Sequence, residues 1–100
     1  MKQFSQGEYL DELSRRVITR EGGEVKIIRV FTDDVSYSIL ASVDKGTYMD
    51  ISFYTKEGNH FHKNYESPYD LFFVPRKTEV GAYLKYLFTK FIFRIKYTAK

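Results

Sequence analysis

A chain of 100 residues, 43% of them apolar and including nine Tyr and nine Phe, holds core material for one domain spanning 1–100 and excludes intrinsic disorder. The lack of cysteine excludes a disulfide framework and thiolate chemistry, and no apolar run approaches the roughly 20 residues that span a bilayer. Net charge is +3 but lopsided: residues 1–66 carry nine Lys/Arg and eleven Asp/Glu, while residues 67–100 carry seven Lys/Arg against Asp70 and Glu79.

The first element reads as a helix. Ser5 followed by Glu8 is a capping-box pattern, with Phe4 and Tyr9 at the flanking staple positions. Leu10, Leu13, Val17 and Ile18 recur at helical spacing, and Asp11–Arg15 and Glu12–Arg16 are i,i+4 pairs on the outer side. Gly22-Gly23 supplies a stop. Together these predict a helix over 6–20. Met1–Gln6 lacks the apolar stretch of a signal peptide, and with no cysteine the chain is expected to be cytoplasmic.

Strands follow at 24–31, 36–43 and 47–55, with 60–65 as a fourth candidate. Asp44-Lys45-Gly46 and Lys56-Glu57-Gly58 read as three-residue hairpin loops with glycine at the left-handed third position. That loop length sets Val43 against Thr47, Ala41 against Met49, Ile39 against Ile51 and Tyr37 against Phe53. It likewise sets Thr55 against Asn59, Phe53 against Phe61 and Met49 against Tyr65. The apolar residues then share one sheet face, except Leu40. Tyr48, Asp50, Ser52, Tyr54, His60, His62 and Asn64 share the other.

Ser67-Pro68 interrupts the pattern, and a short extended segment over 70–74 is closed by Pro75. Over 78–97, Val80, Leu84, Leu87, Phe88, Phe91 and Ile95 form one helical stripe. Phe91, Phe93, Ile95 and Tyr97 also alternate, so a change to strand after Lys90 is the alternative. The expected fold class is α+β: an N-terminal helix, an antiparallel meander of three to four strands and a C-terminal helix. This order of one helix, three strands and one helix is similar to that of double-stranded RNA-binding domains. The resemblance is confined to element order, because Arg76-Lys77-Thr78-Glu79-Val80-Gly81 lacks the lysine cluster that opens the second helix in those domains.

Three groups of residues bear on function. On the polar sheet face, His60 and His62 point the same way, and with Asp50 they suit a two-histidine, one-carboxylate metal site or general acid–base chemistry. The plainer reading is a solvated sheet face, so no catalytic residue, metal or cofactor is assigned. Tyr48, Ser52, Tyr54, His60 and His62 on that face combine rigid aromatic area with adaptable hydrogen bonding, as protein-binding surfaces do. In the last segment, Tyr86, Phe93 and Tyr97 suit a protein partner or a homodimer interface. Lys85, Lys90, Arg94 and Lys96, interleaved with them, suit together with Arg76 and Lys77 phosphate contact with base stacking. Asp33-Asp34 reads as turn chemistry. Phosphate loops, nucleophile elbows and zinc spacings are absent from the chain.

The expectation is a small non-enzymatic binding protein, of inhibitor or adaptor type, that occupies a macromolecular protein partner. Nucleic-acid binding through the basic aromatic C-terminal segment is the alternative. Such a compact chain suits an accessory protein of a virus or mobile element, an expectation from context that no residue carries.

Overall fold

The computed structural model describes residues 1–61 and 65–98. The element order is α1 (Gln6–Asp11), β1 (Val17–Thr19), β2 (Glu24–Val30), β3 (Ile39–Asp44), β4 (Met49–Tyr54), β5 (Leu71–Phe73) and α2 (Val80–Thr98). The strands form one antiparallel sheet in the order β4-β3-β2-β1-β5. The α+β class stands as expected, with five strands where three to four were counted.

The helix expected over 6–20 stops at Asp11. Phe4 and Tyr9 do meet, with ring centroids 5.7 Å apart. The capping box does not form: Ser5 makes no side-chain cap bond, and Glu8 turns to Lys2 at 2.5 Å and Arg15 at 3.6 Å. Val17, Ile18 and Thr19 are three consecutive β-branched residues, stiff at χ1 and suited to a pleated surface. They form β1, with Val17 opposite Val25 on one side and Phe73 on the other. Gly22-Gly23 therefore turns a β-hairpin instead of capping a helix, with the Gly22 N–H donating to Thr19 O at 3.0 Å and the Gly23 N–H to Thr19 Oγ1 at 2.9 Å.

The β3–β4 register also differs from the expected one. Asp44 opposes Met49, Ala41 opposes Ser52 and Ile39 opposes Tyr54. The offset from the expected pairing is three residues, an odd number, so every β4 side chain changes face. The cause lies in the turn. Asp44 Oδ1 accepts the Gly46 N–H at 2.8 Å, and the Lys45 N–H donates to Tyr48 O at 3.0 Å, which gives a four-residue loop. Tyr54 thus enters the core, while Met49, Ile51 and Phe53 are more than half exposed.

At the next turn the backbone is as expected. The Thr55 N–H donates to Asn59 O at 3.1 Å, and Gly58 has φ +81°. A Cβ at Gly58 would lie 2.8 Å from the Phe4 Cβ and 2.9 Å from the Leu71 Cβ, so only glycine fits there. The strand expected over 60–65 does not start: the His60 N–H is held by Asp70 Oδ1 at 2.8 Å instead of a ladder partner. Residues 62–64 of that expectation, including His62 and Asn64, lie outside the described residues.

The extended segment expected over 70–74 contains β5, all of it buried. The N-terminus pairs along it, with the Phe4 N–H donating to Leu71 O at 3.0 Å and the Phe73 N–H to Lys2 O at 2.9 Å. The sheet curls back on itself, because the Leu71 N–H also donates to Gly58 O, beyond β4, at 2.8 Å. The core fills the inside of that curl: Phe4, Val17, Ile39, Ala41, Val43, Tyr54, Leu71 and Phe73. On the other face of β1, Ile18 packs with Val74 and Tyr86, which seats α2 on the outside of the sheet. The helix runs unbroken to Thr98, so the change to strand after Lys90 is not adopted.

Candidate functional site: the outer face of helix α2

Seating α2 decides which of its sides is available. Tyr86 is 3% exposed, and Tyr83 packs beside it. One turn on, Lys90 is bonded to Glu24, which Arg16 also reaches at 2.5 Å. Half-burial pushes the Glu24 carboxyl up, but its hydrogen bonds and charge attraction to Lys90 and Arg16 outweigh this and hold it below its ordinary 4.5. Near the C-terminus the Tyr97 ring lies on Gly46, where a Cβ would come within 2.2 Å of it. The Tyr97 hydroxyl reaches Glu21 Oε2 at 3.3 Å, Lys96 reaches the same carboxylate at 3.6 Å, and the tilted Phe93 ring packs against Tyr97 with centroids 4.7 Å apart.

The helix therefore turns its polar aromatic side inward. Tyr86, Phe93 and Tyr97, expected as exposed contacts, face the body. Val80, Leu84, Leu87, Phe88, Phe91 and Ile95, expected to face the core, are 45–66% exposed. The reason is the seat. Near β1 it offers Ile18 and Val74, but over the remaining turns it offers Glu21, Gly22, Glu24 and Gly46, which match cations and flat rings better than a thick apolar ridge. Exposed Lys85, Arg94 and Lys96 flank the stripe, and no acid lies between 80 and 98. A shallow crevice of about 320 Å³ adjoins it where Phe88, Ile92 and Phe93 meet Arg20 and Glu21. The stripe is thus a contiguous exposed apolar patch on a small domain. The residue spacing was legible in the sequence; the side on which it faces was not.

The other expected site residues lie apart from α2. Asp50, Ser52 and Tyr54 share the inner face of the sheet with Val43, Ala41 and Ile39. Asp50 pairs with Lys45 at 3.0 Å and accepts from Ser52 Oγ at 3.3 Å. The hydrogen bond from Lys45 holds the Asp50 carboxyl below its usual range. His60 packs against Tyr54 and Tyr69, with centroids 5.5 and 5.6 Å away. Its Nδ1 is buried with no hydrogen-bond partner among the described residues. Burial, then the charge of Lys45, pushes the His60 imidazole below 6.5. Tyr48 stands exposed in the β3–β4 turn. No group of three His, Cys, Asp or Glu able to hold a metal occurs among the described residues.

The basic residues named for nucleic acid are divided. Arg76 bonds Glu12 at 2.5 Å, and Lys90 and Lys96 meet Glu24 and Glu21; Lys90 is partly buried, and Arg76, Lys77, Lys85, Arg94 and Lys96 are exposed. Asp70 was missed as a polar anchor. It is 1% exposed and accepts from the His60 and Ser67 backbone N–H groups at 2.8 and 3.0 Å and from Arg20 at 3.3 Å. The Ser67-Pro68-Tyr69-Asp70 turn pattern was its only signal.

Among the described residues no helix is long and apolar enough to cross a membrane. No protein-family model matches the chain, and no curated protein or solved structure is significantly similar to it.

Proposed function

We propose that this protein is a non-catalytic binding module that occupies a macromolecular protein partner through the outer face of α2. One observation carries the reading: six large apolar side chains, 45–66% exposed, lie in line on a helix whose opposite side is already engaged. Hydrophobic burial is the main favourable term in protein association, and a helix face with anchors at i, i+4, i+7 and i+8 is a recurrent form of it. The partner presents an apolar helix face, with polar groups placed to meet Lys85 and Arg94. Catalysis has less support, because the His60 Nδ1 has no hydrogen-bonded nucleophile or orienting group among the described residues.

The test compares capture of a protein partner by the wild type, Phe88→Glu and His60→Ala. Loss with Phe88→Glu and retention with His60→Ala is the expected pattern. Capture indifferent to Phe88→Glu contradicts it.

Nucleic-acid binding is the second reading, favoured by four Lys/Arg and no acid between 80 and 98. It predicts affinity that falls steeply with salt as condensed counterions are released. Gel shifts insensitive to joint replacement of Lys85, Lys90, Arg94 and Lys96 by Glu exclude it.

A further inference from the structure

We propose that the occupant of the α2 face is a second copy of the chain, packed α2 against α2 in an antiparallel two-fold pair centred between Leu87 and Phe88. This rests on the reading of that face as the contact surface and names its partner.

Area is the first argument. Six side chains at 45–66% exposure present on the order of 700 Å² of mainly apolar surface, taking roughly 150–250 Å² for a large side chain, close to the roughly 800 Å² per partner of a stable interface.

Spacing is the second. Leu84, Phe88, Phe91 and Ile95 follow intervals of four, three and four, the period at which paired helices interlock side chains along a seam.

Self-complementarity is the third. In an antiparallel pair centred at 87/88, Leu84 meets the partner's Phe91, Leu87 meets the partner's Phe88, and Val80 meets the partner's Ile95. Each contact sets a smaller side chain against a larger one, so the seam has even thickness. A lipid surface demands no such matching.

Charge selects the orientation. A parallel pair would hold Lys85, Arg94 and Lys96 level with their own copies and align the two helix dipoles. The antiparallel pair opposes the dipoles, brings Glu79 level with the partner's Lys96, and brings Lys85 level with the partner's Lys90, whose charge Glu24 already meets. The same patch serves both copies, so the contact closes as a dimer and does not propagate.

The 100 residues contain no cysteine, so single introduced cysteines report the geometry cleanly. Sedimentation equilibrium of the wild type at micromolar concentrations is expected to give twice the chain mass. Phe88→Glu should weaken association about a hundredfold with an unchanged circular dichroism spectrum, since Phe88 packs on nothing in the core. Under mild oxidation Leu87→Cys or Phe88→Cys should form a linked dimer. Val80→Cys and Ile95→Cys should not link alone but should link when combined in one chain, because a disulfide needs its Cα atoms within about 7 Å.

Equal linking at 80, 88 and 95 overturns the antiparallel pair. A monomeric wild type at high micromolar concentration overturns the dimer. If that monomer still captures a protein in a Phe88-dependent way, the second copy is wrong and the binding face stands. If its capture ignores Phe88→Glu, both fail. A monomer that binds mixed phosphatidylserine–phosphatidylcholine vesicles through Phe88 assigns the face to an anionic membrane and likewise overturns the dimer.

Discussion

Tyr54 has its ring in the core and a buried hydroxyl with no hydrogen-bond partner among the described residues. Burial, reinforced by the charges of Asp50 and Asp70, raises its ionisation far above the ordinary 10, so the hydroxyl stays neutral. An unsatisfied buried donor costs about 1–3 kcal/mol, and replacing it with an apolar group of the same shape removes that cost. Tyr54→Phe is therefore expected to leave the denaturation midpoint unchanged or raise it; a loss above about 1 kcal/mol would mean that the hydroxyl has a partner. Asp70 is the opposite case. Two backbone donors and Arg20 converge on its carboxylate, so Asp70→Ala should cost about 2–4 kcal/mol in urea unfolding. His60 adds a pH signature. Its imidazole is held below 6.5 by burial and then by Lys45, so the fold favours the neutral form and the unfolded chain takes up the proton first. The stabilisation is present above about pH 6.5 and fades as pH falls through the lowered folded value. Partial exposure of the residue limits this to less than about 1 kcal/mol. Urea midpoints measured from pH 7.5 to 5 should fall in the wild type and flatten in His60→Gln. Glu24, held below 4.5, loses its contribution only at lower pH.

At the scale of elements, Gly46 ties the β3–β4 turn to α2. It combines φ +96° with a Tyr97 ring 2.2 Å from where a Cβ would stand. Gly46→Ala should cost about 1–3 kcal/mol, and amide exchange over residues 90–97 should speed up more than exchange in β1 or β5. A uniform change would mean that the turn and the helix end are not coupled. This coupling bears on what the sequence disclosed. The Phe4–Tyr9 contact, the Gly58 turn and the segment before Pro75 were legible because each is local chemistry. The 6–20 helix misread Val17-Ile18-Thr19, whose spacing fits both periods; three β-branched residues in a row were the signal for strand. The β4 faces depended on whether the turn is the three residues after Val43 or the four after Asp44, and the Asp44 side chain bonding to Gly46 settled that. In α2 the period was legible and the orientation was not. Core-facing is the usual place for an apolar stripe, but Glu21, Glu24, Gly22 and Gly46 sit on a surface the sequence does not assemble locally.

The whole molecule is a curled five-stranded sheet that keeps its core inside and carries one long helix outside. Polar groups expected on the open sheet face are partly enclosed, and apolar groups expected inside are displayed on α2 and β4. That inversion is the central claim, since both the proposed binding face and the proposed second copy depend on it. Thiol labelling of single-cysteine variants in dilute solution, where the proteins are monomeric, tests it most directly. Leu84→Cys and Phe88→Cys should react near the rate of an unfolded chain, while Tyr86→Cys should react at least about tenfold more slowly because opening must precede labelling. Slow labelling at 84 and 88 with fast labelling at 86 would mean that α2 buries its apolar stripe against the sheet, and would contradict the account.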